Sequence, residues 1–277
     1  MDHAKLALGS VQFGLDYGIS NIKGVTDELE VRDILKLAMS KGIDLIDTAF
    51  GYGNSEEVLG KIGISTFKIV TKFLPSTKEI SIEDQIKVSF ARLKVSQVYG
   101  LLAHRPLSLV DNPKIWDYLR KLKEEGIVMK IGFSLNSTEE IDLLIKNGFM
   151  PDIIQVPFNY LDRRFIPYMI QFKENGCEVH TRSTFLQGLF FIKPDKLNPF
   201  FDEIKPILRE LQGDVNLSGR LLGYCIEQPF IDKVIIGVNN KEQFLQNINS
   251  IKNYPKILQT DVIVDSKILK PSNWPKS

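Results

Sequence analysis

Cysteine is scarce in this chain, and other features of specialised protein classes are missing as well. Among the 277 residues there are two cysteines, Cys177 and Cys225, which are too few for a disulfide framework. Neither cysteine stands at the spacing of a metal-ligand pair, and His3 and His180 also lack ligand partners at such a spacing. We therefore expect no metal site, and the low cysteine content predicts a reducing, cytoplasmic environment.

An excess of charge of one sign and long apolar runs are also missing. The 35 basic and 34 acidic side chains leave a formal net charge of +1, whereas a protein that binds a phosphate backbone normally has a basic excess. No run approaches the roughly 18 apolar residues of a membrane span. Residues 1–14 lack the apolar core of a secretory signal. We therefore expect a protein that binds neither nucleic acid nor a membrane.

Short apolar runs recur along the chain, each followed by an amphipathic stretch. Their apolarity is continuous rather than alternating, which is typical of parallel strands buried on both faces. Strand and helix patterns that alternate eight times over about 250 residues predict an α/β fold, the (β/α)8 TIM barrel. No linker composition interrupts the pattern, so we expect residues 1–277 to form a single domain. The eight predicted strands are 5–11, 43–49, 68–73, 98–104, 129–135, 152–158, 178–185 and 233–238.

The helices between these strands have recognisable ends. Thr26 is the expected N-cap of a helix over 27–41, which stops at Gly42. Ser137 and Glu140 form a capping box before another helix. The remaining helical patterns cover 82–94, 113–125, 163–175, about 200–212 and about 217–228.

A doubly wound open sheet is the main alternative architecture. It should carry a glycine fingerprint directly after its first strand. The nearest match, Gly51-x-Gly53, follows the second strand and has Glu56 at the place of the third glycine. The barrel is therefore favoured, and the irregular stretch 188–201 is expected to be a loop over its mouth.

Four polar side chains stand at or just after the ends of consecutive predicted strands. Asp47 and Lys72 lie near the ends of strands two and three, and His104 closes strand four. Tyr52 lies in the loop after strand two. Taken singly, they have ordinary explanations: a turn cap, a snorkelling lysine, a core histidine and a packed tyrosine. Because chemistry in such barrels lies at the carboxyl ends of the strands, their coincidence favours one shared pocket.

These residue types suit the reduction of a carbonyl group. An ordinary tyrosine, with a pKa of about 10, is a poor proton donor near neutrality. A neighbouring ammonium, here that of Lys72 held protonated by Asp47, would stabilise the phenolate. Tyr52 would then protonate the developing alkoxide, and His104 would hydrogen-bond the same oxygen. None of the four can deliver a hydride, so a reduced cofactor is required.

Around these residues the sequence resembles the aldo-keto reductase family. Residues 42–60, GIDLIDTAFGYGNSEEVLG, are similar to the most recognisable segment of that family. Lys72 in KIVTKF and His104 in LLAHRP stand where the family keeps its other catalytic residues. The resemblance extends over nearly the whole chain. It implies a (β/α)8 barrel, catalytic roles for the four residues above, a small carbonyl substrate, a monomer or dimer, and a nicotinamide cofactor, NADPH or NADH.

The resemblance also implies a set of cofactor-contacting residues. Arg182 stands where the family often stacks an aromatic ring on the nicotinamide, and a guanidinium can also stack on a flat ring. Members that prefer the 2′-phosphorylated cofactor generally carry basic residues in the last segment, where this chain has Gln243 with Lys241 nearby. The full set implied by the resemblance is Gly9, Ser10, Ser134, Gln155, Arg182, Gly237, Lys241, Gln243 and Asn247.

Two other functions agree with part of the pattern. A cofactor-binding regulatory protein on the same barrel, like the potassium-channel β-subunit branch of the family, would carry these residues and show little turnover. A Schiff-base aldolase would use Lys72 as its nucleophile, but this function leaves the segment 42–60 unexplained.

Overall fold

In the computed structural model, which describes residues 3–213 and 215–275, eight short parallel strands close into a barrel. Each strand pairs with the next one along the chain, and the last pairs with the first. This topology confirms the predicted TIM barrel and excludes the open sheet. The strands are β1 (Leu6–Gly9), β2 (Leu45–Asp47), β3 (Lys68–Phe73), β4 (Val98–Ala103), β5 (Val128–Ser134), β6 (Ile153–Pro157), β7 (Glu178–Arg182) and β8 (Lys233–Gly237).

In the part of the chain that the structure describes, helices pack on the outside of the barrel between consecutive strands, with two between β4 and β5, two between β7 and β8, and two more after β8. Within the described residues they are α1 (Glu28–Ser40), α2 (Ser55–Ile62), α3 (Ile82–Leu93), α4 (Ser108–Asp111), α5 (Lys114–Glu124), α6 (Thr138–Lys146), α7 (Ile166–Glu174), α8 (Lys205–Gln212), α9 (Leu217–Ile226), α10 (Lys241–Ser250) and α11 (Ser266–Leu269). None of these helices is long and apolar enough to cross a lipid bilayer.

The continuous apolarity of the strands reflects two separate apolar layers. In β1, Leu6 and Leu8 pack against the helices, whereas Ala7 belongs to a small cluster inside the barrel. Alternate residues of a strand point to opposite faces, so both faces need apolar side chains. The barrel-interior cluster consists of Ala7, Leu45, Val70, Leu102, Ile153 and Ile235.

The first helix begins one residue later than its sequence indicated. The N-cap is Asp27, whose carboxylate accepts from the backbone N–H groups of Leu29 and Glu30 at 3.0 Å. The prediction of Thr26 as the cap is wrong, because Thr26 is buried and donates its hydroxyl to the carbonyl of Asn239 at 3.2 Å. The negative charge of Asp27 at the start of the helix also interacts favourably with the helix dipole.

Other helix ends follow the sequence more closely. The capping box of Ser137 and Glu140 is present at the start of α6. Gly42 adopts a φ of +71° just after α1, the left-handed conformation that suits glycine at a helix end. The helix predicted over 163–175 begins only at Ile166, and the first part of 200–212 is a 3-10 turn.

The irregular stretch after β7 forms 3-10 turns over a second apolar cluster. Phe190 and Phe201 are fully buried there, whereas Phe191 is 44 % exposed. Residues of α8 and of the C-terminal segment, including Leu208 and Ile268, complete this cluster. The stretch is therefore held in place by its own apolar side chains.

Candidate active site

The side chains at the barrel mouth continue the interior-facing rows of the strands. Asp47 stands two residues after Leu45, and Lys72 stands two residues after Val70. Leu45 and Val70 both belong to the barrel-interior cluster. Because residues two apart in a strand share a face, the carboxylate and the ammonium emerge inside the barrel at its carboxyl end.

A buried ammonium lies at the centre of the site. Lys72 Nζ lies 2.6 Å from Asp47 Oδ2, 2.8 Å from the carbonyl oxygen of Thr48 and 3.3 Å from the Tyr52 hydroxyl oxygen. The lysine side chain has no exposed surface, and that of Asp47 is 5 % exposed. Since an ammonium has three N–H donors, these three oxygens account for all of them.

The charge of Lys72 is maintained against burial. Burial by itself would lower the pKa of Lys72, but the carboxylate of Asp47 and then the phenol of Tyr52 outweigh it, and the net pKa is raised. Lys72 is therefore an ammonium throughout the ordinary pH range, and its positive charge faces the phenol oxygen.

The glycine-flanked turn after β2 explains the position of Tyr52. Gly53 has a φ of +58°, a left-handed conformation that is costly for other residues. A Cβ on Gly53 would also collide with the carbonyl of Gly14 in the neighbouring loop. Ser55 ties the turn to the end of β1, since its hydroxyl lies 2.9 Å from the Ser10 carbonyl oxygen and 2.8 Å from Ser10 Oγ.

His104 packs against Tyr52 and is neutral near pH 7. The two ring centroids are 5.6 Å apart, with their planes at 83°. Burial, followed by the positive charges of Lys72, Arg182 and Arg105, lowers the pKa of His104 to about 3. Its Nδ1 has no hydrogen-bond partner among the described residues. The ring can therefore act as a neutral hydrogen-bonding group, and not as a cation.

Two residues that the sequence assigned to the cofactor lie one layer behind the ion pair. Gln155 Nε2 donates to Asp47 Oδ1 at 2.7 Å, and Ser134 Oγ donates to Gln155 Oε1 at 3.3 Å. Gln155 occupies the interior-facing row of β6, two residues after Ile153. Both oxygens of the Asp47 carboxylate thus have a donor, which holds the carboxylate in one orientation.

A groove with an empty volume of ≈ 920 Å³, counted out to its open side, runs across the mouth from Tyr52. The groove lies at the carboxyl end of the strands, which is where TIM barrels bind their ligands. Its walls include seven residues that the sequence predicted for the site: Gly9, Ser10, Asp47, Tyr52, Arg182, Gly237 and Gln243. Lys241 is half-exposed on α10 outside the groove, and Asn247 is buried in the same helix.

Gly188 and Phe191 of the predicted loop 188–201 also line the groove, whereas the sequence reasoning missed its remaining walls. Gln12 directly follows the predicted first strand, 5–11, and this position at a strand end could have identified it as a site residue. Tyr17 and Gln187 belong to two distant loops that meet over the groove, with the Gln187 amide donating to the Tyr17 hydroxyl at 2.9 Å. No local pattern could have paired them. The additional wall residues are Val11, Gln12, Tyr17, Gly18, Ser20, Ser183, Thr184, Phe185, Gln187, Gly188, Phe191, Ile235, Ile236 and Asn239.

The end of the groove beside β8 carries buried polar atoms without hydrogen-bond partners. A Cβ on Gly237 would meet the side-chain amide of Gln12 at 2.6 Å, so glycine keeps this wall open. Among the described residues, Gln12 Oε1 and Asn239 Oδ1 are buried without a hydrogen-bond partner, as is Asn247 Nδ2. Buried polar atoms without partners are costly, and a bound water, ion or polar ligand would satisfy them. No cluster of metal-binding side chains occurs in the described part of the chain.

The N-terminus of α10 faces acidic residues of α1. The backbone N–H of Lys241 donates to Glu30 Oε1 at 2.5 Å, and Lys241 Nζ lies 3.8 Å from Asp33 Oδ2. Asn240 caps the helix by accepting from the N–H of Gln243 at 2.8 Å. A carboxylate therefore occupies a position where a helix start would otherwise attract an anionic ligand.

A family comparison matches most of the chain. A model described as the aldo/keto reductase family matches residues 5–262. Among curated proteins, an uncharacterized oxidoreductase of Bacillus subtilis, YqkF, is 23 % identical, with 90 % of this chain and 88 % of that protein aligned. The aldo-keto reductase YhdN of the same organism is 26 % identical over 68 % of this chain and 60 % of its own length.

A solved structure has a similar fold. It is the aldo-keto reductase AKR11C1 from Bacillus halodurans in its holo form, which superimposes with a TM-score of 0.75. The sequences are 20 % identical, and the alignment covers 94 % of each chain.

Proposed function

The chain belongs to the aldo/keto reductase family, and on that premise we propose that it reduces the carbonyl group of a small aldehyde or ketone to an alcohol. NADH or NADPH, when bound in the groove, supplies the hydride. The proposed catalytic residues are Asp47, Tyr52, Lys72 and His104.

The observation that carries this proposal is the chain of contacts from Asp47 through Lys72 to Tyr52. The phenol lies at the wall of the groove and next to an ammonium whose pKa is raised. As negative charge develops on the carbonyl oxygen, Tyr52 donates its proton, and the ammonium stabilises the phenolate that remains. Asp47 holds the ammonium in position through the 2.6 Å contact. The neutral ring of His104 orients the same oxygen.

The contacts of Lys72 do not favour a Schiff-base aldolase. Such an enzyme needs a neutral, accessible amine as its nucleophile. Here the amine is buried, its three N–H groups are occupied and its pKa is raised. The same ammonium is well placed to stabilise the phenolate that forms when Tyr52 donates its proton.

The charges around α10 favour NADH over NADPH as the cofactor. The family resemblance assigns this helix to the adenosine half of the cofactor. The Glu30 carboxylate beside the Lys241 N–H would repel a 2′-phosphate. Lys241 is the nearby cation, and Asp33 already attracts its ammonium. A free ribose hydroxyl would carry no such electrostatic cost.

The proposal is tested with NADH and NADPH oxidation in the presence of a panel of aldehydes and ketones. We expect turnover by the native protein and a Tyr52→Phe variant whose kcat is about 10²–10⁴ times lower, the usual contribution of a general acid. Tyr17→Phe is the matched control, because it removes another phenol from the same groove. We expect it to lose less than about tenfold.

Two results would contradict the proposal. A Tyr52→Phe variant with the native kcat would show that Tyr52 is not the general acid. Tight binding of the dinucleotide without oxidation by any carbonyl compound of the panel would instead favour a regulatory protein on the same barrel.

A further inference from the structure

The groove contains one charge that the site itself does not neutralise. Among its described walls, Asp47 and Arg182 are the side chains with a formal charge. Lys72 compensates Asp47 at 2.6 Å. Arg182, by contrast, has no carboxylate within 4 Å among the described residues, and its guanidinium leaves the groove with net positive charge.

Arg182 is held by neutral oxygens at the end of β7. Its Nη2 donates to the carbonyl oxygen of Leu135 at 2.8 Å and to Asn136 Oδ1 at 2.7 Å, while Nη1 lies 3.4 Å from Ser183 Oγ. These contacts use three of the five N–H donors of a guanidinium. They anchor the group without cancelling its charge, so an anion can still bind to its remaining donors.

The position of Arg182 relative to the proposed acid is also informative. Its charge is close enough to contribute to the lowered pKa of His104, which packs against Tyr52. The anchors of Arg182 lie just beyond β5, on the other side of β7 from β8. The polar atoms without partners that suit the dinucleotide lie beside β8 and in α10. The guanidinium is thus anchored on the β5 side of the groove, away from the unpartnered polar atoms on its β8 side.

We propose that Arg182 selects carbonyl substrates that carry a carboxylate. A carboxylate can accept a charge-assisted hydrogen bond from one of the remaining N–H donors of Arg182, and the half-buried site screens this attraction less than bulk water does. The bound carboxylate orients the substrate so that its aldehyde or ketone group meets Tyr52. Arg182 is in this role a specificity-determining residue of the proposed carbonyl reductase, so the inference depends on the proposed function.

The test compares matched pairs of substrates. The 2-, 3- and 4-carboxybenzaldehydes are each measured against the amide of the same position, which has a similar size and no charge. For at least one position we expect kcat/KM to favour the carboxylate about tenfold or more, equivalent to about 1.4 kcal/mol. In Arg182→Gln this ratio should fall to about one, and Arg182→Lys should retain part of it because the charge remains.

Arg105→Gln is the matched control. This arginine is exposed after β4 and also contributes to the electrostatics of His104, but it does not line the groove. Its ratio should stay within about twofold of the native value. A similar loss in both variants would mean that general positive potential, and not contact with Arg182, sets the preference, and it would overturn the inference.

The remaining outcomes separate this inference from the proposed function. If every pair is reduced with a ratio near one, the carboxylate preference is wrong and the reductase activity stands. If Arg182→Gln keeps the native ratio but raises the Kd of the dinucleotide, Arg182 serves the cofactor and the inference is overturned. If neither member of any pair is reduced, and the wider panel also fails, both proposals are wrong.

Discussion

Asp47→Asn is the most informative perturbation of the buried ion pair. It keeps the shape of the side chain and one carbonyl oxygen, but it leaves the ammonium of Lys72 buried without its carboxylate. At 2.6 Å and an effective dielectric constant of 20, the gross attraction that is lost is about 6 kcal/mol. Breaking one side of a buried pair typically costs about 3–5 kcal/mol of the free energy of unfolding.

The same substitution should change how activity depends on pH. Without Asp47, burial dominates and lowers the pKa of Lys72 below its ordinary value. Lys72 then loses its proton as pH rises, and with it the positive charge that stabilises the phenolate of Tyr52 is lost. We expect kcat to be at least about tenfold lower at pH 7, and we expect the pH profile between pH 6 and 10 to differ from the native one, because Lys72 loses its proton at a lower pH in the variant.

Asp44→Asn is the matched control, since Asp44 lies just before the other end of the same strand. Its carboxylate is 43 % exposed and pairs with Lys68 at 2.9 Å and Lys233 at 2.7 Å. Pairs this exposed contribute about 0–1 kcal/mol. Urea denaturation gives the stability of both variants, and steady-state rates between pH 6 and 10 give the profiles. If Asp47→Asn costs less than about 1 kcal/mol and keeps the native pH profile, the electrostatic argument is wrong.

Two further predictions concern pH and cofactor choice. Burial, and then the charge of Lys72, lowers the pKa of His104 to about 3 in the folded protein. Below about pH 6.5 the unfolded chain therefore binds a proton at His104 that the folded protein does not bind. Between pH 6.5 and 5, the native protein should therefore lose about 1.6 kcal/mol of stability that His104→Gln does not lose; equal urea-denaturation slopes against pH would contradict this. Glu30→Gln should tighten NADPH binding about fivefold, since it removes the carboxylate at the start of α10. In a fluorescence titration the affinity of the Glu30→Gln variant for NADH should change little. Glu28→Gln, on the same helix but paired with Lys61, is the control and should change neither affinity. A Glu30→Gln variant that binds NADPH as the native protein does would refute the role of Glu30.

The barrel and the ion pair beside the proposed acid could be predicted from the amino-acid pattern alone. Continuous apolar runs separated by helical periodicity indicate parallel strands, because both faces of each strand must be buried. Once the barrel is assumed, Asp47 and Lys72 lie at the same end, two residues beyond interior-facing Leu45 and Val70. The strand period of two then suffices to place them together.

The contacts between side chains from distant parts of the chain became visible only in the folded protein. The contact of Gln155 with Asp47 joins residues 108 positions apart, and that of Lys241 with Glu30 joins residues 211 apart. The pairing of Tyr17 with Gln187 closes the groove through two loops. Local periodicity reports which face of an element is buried, but contacts between loops depend on how the closed barrel brings the loops together. Hydrophobic periodicity is a short-range property of the sequence, whereas burial, charge and hydrogen bonding at the mouth depend on residues from all eight strand ends.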